Sequence, residues 1–132
     1  MTPDLYTRIV TELGASIEGV YDTTLPETIA DGSPWLLVDP VIVASHISDV
    51  PTSTIDSRIA IREQRLQCEV QALDLGTARL IKEALIVALH GWRGTVIEVC
   101  MFENGGPELY DWDLNPPRYC LPVDFLVTIP GA

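Results

Sequence analysis

The residues best suited to bind a metal ion form the pattern Asp111-x-Asp113-x-Asn115, which matches the start of a calcium-binding loop. Such a loop also needs a glycine at its sixth position for the sharp turn and a glutamate at its twelfth to complete the coordination. Pro116 and Pro122 stand at those two positions. The pattern therefore predicts no calcium site.

The histidines and cysteines do not form a metal or catalytic pattern either. His46 and His90 are far apart, and His90 lies at the end of a predicted helix, where an imidazolium interacts favourably with the negative pole. Cys68, Cys100 and Cys120 are an odd set without CxxC spacing, which indicates reduced, partly buried thiols in a cytosolic protein. With no nucleophile elbow or phosphate-binding glycine loop, we expect no catalytic residue, no metal, no cofactor and no enzyme.

Length and charge restrict the possible classes. The 132 residues suit a single domain, and 47% hydrophobic residues suit a folded core. Eight basic residues against nineteen acidic ones give a net charge of −11, the wrong sign for gripping phosphates. The apolar runs are broken by Asp39 and Pro40, so we expect no membrane span. The start of the chain carries no secretion signal, which predicts a protein that stays inside the cell.

The first half predicts one helix and one long strand. Thr2 caps a helix that stops at Gly14, with one face formed by Leu5, Tyr6, Ile9 and Leu13. Residues 15–33 read as an irregular connection with a short extended piece at 17–21. Residues 34–47 read as a strand bent at Pro40, followed by a projecting polar loop at 48–57.

Residues 62–73 predict a strand with two different faces, followed by a helix that opens at Thr77 or in the preceding turn and closes at Gly91. The strand's apolar face holds Leu66, Cys68, Val70 and Ala72, and its polar face holds Arg65, Gln67, Glu69 and Gln71. The helix repeats Leu80, Ile81, Ala84, Leu85, Ala88 and Leu89 along one side. Arg79 and Glu83 lie on the opposite side with Ile86 beside them, so Ile86 is either a contact residue or an isolated exposed isoleucine.

The last third predicts a strand at residues 95–103, a turn at 104–107 and a closing strand at 118–129 that Pro122 places near an edge or a bulge. Between them, a loop at 108–117 alternates Tyr110, Trp112 and Leu114 with two aspartates. The order helix, strand, strand, helix, strand, strand predicts an α+β fold, a mainly antiparallel sheet with two helices packed on one face.

This pattern resembles the tail-completion or tail-terminator proteins of long-tailed bacteriophages. The resemblance rests on the opening helix, GSPWLLV at residues 32–38, LQCEVQA at 66–72, the helical pattern at 77–91 and the closing strand at 119–129. It covers nearly all of residues 1–132 as a single domain. The Asp- and Pro-rich end of the 108–117 loop has no match in that family.

The resemblance implies a structural virion protein of the tail-neck region that is assembled in the host cytoplasm. Six subunits would form a ring that caps the tail tube, ends its polymerisation and joins the head connector. Partners would be further copies, the tail tube protein and connector proteins. DNA would pass through without specific binding, and the acidic charge suits this as well as it suits plain solubility.

The predicted surfaces follow from this reading. Gln67, Glu69 and Gln71 are candidates for the channel wall. Loops 49–56 and 110–114 are candidates for docking on neighbouring rings. Interface candidates are Arg79, Glu83, Ile86, Tyr110, Trp112 and Leu114. Two alternatives stay open: a head-to-tail stopper or neck subunit of the same virion, and a small cytosolic ligand-binding module or enzyme.

Overall fold

The computed structural model of the chain describes residues 3–22, 25, 32, 37, 39–53, 59–95, 99–114 and 116–130. Two helices and six strands follow one another as α1 (Pro3–Leu13), β1 (Gly19–Asp22), β2 (Val41–Ser53), β3 (Ile59–Ala72), α2 (Leu75–Leu89), β4 (Val99–Gly105), β5 (Leu109–Asp111) and β6 (Arg118–Pro130). The predicted α+β class is confirmed. The predicted order lacked two short strands, β1 and β5.

The six strands form one sheet in the order β1-β2-β3-β6-β4, and β5 pairs with β6 beyond the end of β4. All pairings are antiparallel except that of β1 with β2, which is parallel. The short extended piece expected at 17–21 corresponds to β1, whose position depends on β2. Strands of about three or four residues cannot be placed by sequence pattern alone, because neighbouring strands determine whether they pair.

The prediction that Pro122 places its strand near an edge or a bulge is confirmed for the bulge: β6 is an interior strand flanked by β3 on one side and by β4 and β5 on the other, and the β4–β6 register shifts between Phe102 and Asn104, close to Pro122. Pro122 lies between the last β4 pair, Gly105 with Val123, and the first β5 pair, Leu109 with Cys120. Its carbonyl oxygen accepts a hydrogen bond from the Gly106 amide at 3.0 Å. Its nitrogen faces the same side, so the missing N–H falls at the break between β4 and β5.

The long hairpin of β2 and β3 corrects the prediction of a strand at 34–47 and a loop at 48–57. β2 begins only after Pro40 and continues through Ser53, paired with β3 along its length, with a register shift between His46 and Ser48. Backbone pairing with β3 thus extends the strand through polar residues that read as a loop. Residues 34–36, 38 and 54–58, which these predictions also covered, lie outside the described residues.

Both helices pack on one face of the sheet, as predicted. Leu5, Ile9 and Leu13 of α1 are buried there, together with Leu85 of α2 and Phe125 of β6. The apolar face predicted for residues 62–73 is confirmed, since its four members belong to the same core: Leu66, Cys68, Val70 and Ala72.

Three residues expected in the core lie on the surface. Tyr6 of α1 is exposed, and Leu80 and Ala84 of α2 are also exposed, Leu80 to 73%. Helix α2 starts at Leu75, in the turn before Thr77, as predicted; the side chain of Asp74 caps it and accepts a hydrogen bond from the Thr77 amide at 2.9 Å. Neither helix among the described residues combines the length and apolar character that crossing a membrane would take.

The predicted strand at 95–103 begins later and ends later than expected. β4 runs through Gly105, and Thr95 precedes it outside the sheet, while residues 96–98 lie outside the described part of the chain. At residues 104–107, where a turn was expected, the chain continues along the same side of β6 from β4 to β5. β5 is a strand within the predicted 108–117 loop.

Candidate interaction surfaces

An aromatic cluster of Tyr110, Trp112 and Tyr119 lies where β5 pairs with β6. The pairing places Tyr110 opposite Tyr119, with ring centroids 4.6 Å apart, and the ring of Trp112 meets Tyr110 edge to face at 4.5 Å. Tyr110 is half-buried, but Trp112 is 77% exposed. The cluster and Leu73 line an open groove. The cluster thus places a large aromatic side chain at the surface, an arrangement that is common at protein–protein interfaces.

The two aspartates of the aromatic segment form a tight turn. The backbone amide of Asp113 donates a hydrogen bond to the Asp111 carboxylate at 3.0 Å, which occupies one of the oxygens that the calcium-loop pattern would offer to an ion. Asn115, the third member of that pattern, lies outside the described residues. Within the described part of the chain, no three His, Cys, Asp or Glu side chains converge as possible metal ligands.

The polar side chains predicted to line a channel lie on the sheet face opposite the helices. Gln67 and Glu69 are half-buried, whereas Gln71 is buried at 7% exposure and donates a hydrogen bond from Nε2 to the Glu69 carboxylate at 2.6 Å. Leu114, predicted as a docking residue, lines one cavity with all three of these side chains. The structure therefore brings the predicted channel-wall residues and the predicted docking residue Leu114 together, and Gln71 is buried within its own subunit.

Arg118 is the buried charge of this polar face. Burial lowers the pKa of its guanidinium, while the nearby carboxylates of Asp111 and Glu69 act in the opposite direction. Asp111 is also its partner across the β5–β6 pairing. An arginine placed between two acids is a common way to hold a buried charge.

The outer side of α2 carries three of the predicted interface residues. The guanidinium of Arg79 donates two hydrogen bonds, at 2.7 and 2.8 Å, to the carboxylate of Glu108. Ile86 is half-buried and packs against the core, whereas Glu83 is exposed. The proposed interface role of all three stays a prediction.

Two exposed apolar residues of α2 were missed as surface candidates. Leu80 was assigned to the core, and Val87, 78% exposed, was not considered. A helical wheel centred on Leu85 would have found them, because Leu80 and Val87 then fall roughly 140 to 160° away, given about 100° per residue.

The sheet also has an open edge. β1 pairs with β2 only from Val41 to Ala44, and among the described strands none pairs with the same edge of β2 further along. Unpaired strand edges can accept a strand from another chain.

The cysteines and His90 offer no reactive group. Burial raises the pKa of Cys68 and of Cys100 to about 12 and that of Cys120 to about 11, so all three are neutral thiols near pH 7. His90 is the C-cap residue of α2, and its Nδ1 accepts a hydrogen bond from the Phe102 amide at 3.0 Å, while its interaction with the negative pole of the helix stays a prediction. His46 lies in β2, far along the chain from His90.

Comparison with known proteins gives no match: no family model fits the chain, and no curated protein has a matching sequence.

Proposed function

We propose that the chain is a structural subunit of a phage virion that assembles into a ring, caps the tail tube and joins it to the head connector. The observation that carries the proposal is the aromatic cluster, in which Trp112 packs edge to face on Tyr110 and is still 77% exposed. Exposed aromatic side chains of this kind contribute strongly to binding between proteins.

Two other features support an architectural role. Beyond Ala44, the outer edge of β2 pairs with no other described strand, and its backbone groups are of the kind that can pair with a strand of a neighbouring subunit. The net charge of −11 would keep DNA from adhering to a bore lined by the polar face. Each feature suits a subunit that acts through its surfaces.

The first test is the native mass of the purified protein. We expect a closed species of six times the 14.5 kDa subunit mass, visible as a ring by negative-stain electron microscopy. Trp112→Ala should weaken assembly while the circular dichroism spectrum stays unchanged, because the side chain is exposed. Val10→Ala is the control, since it removes an exposed apolar side chain of α1 that lies outside the interface candidates.

The second test separates the proposed role from its alternatives. Added to polymerising tail tube protein, the chain should bind tube ends and stop their growth. Binding to the head connector but not to tube ends would identify a stopper instead. A monomer that ignores both partners and binds a small molecule would contradict the proposal.

A further inference from the structure

A second surface lies at the other end of α2 from the aromatic cluster. A groove of about 470 Å³ runs between α1 and the segment after α2 and is lined by Asp4, Thr7, Arg8, Thr11, Trp92 and Arg93, among others. Two of the eight basic residues of a strongly acidic chain thus meet in one groove.

The floor of the groove is fixed by contacts within the subunit. Nε of Arg8 donates to the carbonyl of Ala88 at 3.0 Å, and the guanidinium lies 5.8 Å from the centre of the Trp92 ring. Gly94 closes the floor, because a Cβ there would lie 2.7 Å from the Trp92 ring. This side of the groove is therefore preformed.

Arg93 differs from Arg8 in having no partner of its own. Arg8 also pairs with Glu12 at 2.9 Å, whereas Arg93 is exposed and has neither a hydrogen bond nor an ion pair with any residue that the structure describes. Its charge is available to an acidic group from outside. Asp4 on the same wall offsets part of the positive charge, which leaves Arg93 as the main cationic contact.

The aromatic and acidic turn is complementary to this groove. Trp112 is exposed, its ring can lie against a guanidinium, and Asp113 is exposed beside it. The turn and the groove cannot meet within one subunit: Leu73, which shares the turn's groove, precedes α2, and Trp92 follows it. The helix between them has 15 residues, a length of roughly 22 Å.

We propose that the turn carrying Trp112 and Asp113 of one subunit docks into the Arg8–Arg93 groove of the next copy. The contact joins two different surfaces, so it is heterologous and repeats head to tail, which closes into a ring when the rotation between copies allows it. It rests on the proposed function in that it supplies the contact by which the copies assemble.

The test uses two full-length variants, each with one surface disabled. Arg93→Glu has a defective groove and an intact turn; the double variant Trp112→Ala and Asp113→Ala has a defective turn and an intact groove. Each alone should associate at least about tenfold more weakly than the wild type, because Arg93→Glu places two acidic side chains opposite each other and the double variant lacks both side chains that would enter the groove. Mixed one to one, they should form a dimer that does not grow, since only one functional contact is possible.

Native mass spectrometry and analytical ultracentrifugation measure these species, and circular dichroism checks that both variants are folded. Lys82→Glu makes the same charge change in the middle of α2; because the Lys82 charge also acts on Glu108, this variant serves as the control once its circular dichroism spectrum matches that of the wild type, and its assembly should then be unchanged. If both variants still form the ring that the wild type forms, or if their mixture stays monomeric, this contact is overturned and the proposed function stands. A wild type that remains monomeric even with tail tubes overturns both.

Discussion

Arg79 shows how a residue chosen as a surface contact can serve its own subunit. Its two hydrogen bonds to Glu108 tie α2 to the segment between β4 and β5. The hydrogen bond from Arg79 lowers the pKa of the Glu108 carboxyl, and the same bond raises the pKa of Arg79. Arg79 is therefore less available to a partner than its position on the helix suggests.

Replacing Arg79 with glutamine should raise the pKa of Glu108 towards its ordinary value, because the charged donor is lost. In the wild type the lowered pKa means that the pair stabilises the fold above the ordinary pKa of a glutamate, and that this contribution disappears as pH falls through the folded value. Carbon-13 NMR titration of the Glu108 carboxyl measures the shift.

Glu83→Gln serves as the control for that titration. Glu83 is exposed on α2 and one turn from Arg79, but it does not pair with it. The Glu108 titration should be the same in this variant as in the wild type. An unchanged Glu108 pKa in Arg79→Gln would show that the pair does not persist in solution.

The helices and the central strands were the predictable elements. β3 and β6 alternate cleanly in the sequence, and α1 has its proline and glycine signals, so all three were predicted at nearly their observed positions. β5 did not, because three residues carry no periodicity and its place depends on the end of β4. Likewise, β2 continues through polar residues since β3 supplies its backbone partners.

The segment that joins β4 to β5 has no room for a side chain at Gly106. A Cβ at this position would lie 2.5 Å from Cγ of Pro122, so Gly106→Ala must displace either its own segment or the Pro122 ring of β6. We expect a loss of about 1–3 kcal/mol in the free energy of unfolding, measured by urea denaturation.

The second variant in this experiment is Pro122→Ala, alone and combined with Gly106→Ala. It removes the ring carbon that the new Cβ would meet, so the double variant should be more stable than the sum of the single effects predicts. Strict additivity would mean that the clash is not the cause of the loss.

Leucine truncations on α2 test which face of the helix is buried. Leu85 is fully buried and Leu80 is 73% exposed, although the sequence pattern placed both on one apolar side. Leu85→Ala should lower the free energy of unfolding by about 2–5 kcal/mol because it leaves a cavity. Leu80→Ala should change it by no more than about 0.5 kcal/mol. Equal losses in urea denaturation of the two variants would contradict the described orientation of α2.

At the scale of the whole molecule, the sequence predicts the fold class better than the surfaces. Alternation and helical periodicity are local, and they determine which residues face the core. Exposure of Trp112 and cover over Gln71 depend instead on how Trp112 and Leu114, which follow β5, lie relative to the polar face of the sheet. Similarly, Arg8 and Arg93 meet in one groove only because α1 packs beside the end of α2.

The acidic balance of the whole chain predicts weak contact with DNA. Phosphate binding needs clustered cations, whereas the chain carries eight basic residues against nineteen acidic ones, and Arg8, Arg65 and Arg79 are already paired with glutamates. Fluorescence anisotropy of labelled duplex DNA should therefore stay unchanged on addition of the protein, even at about 50 mM salt, where phosphate contacts are strongest. The same protein with an added lysine tail is the positive control. A saturable rise that falls steeply with salt would reveal a basic DNA-binding surface and contradict a bore that DNA traverses freely.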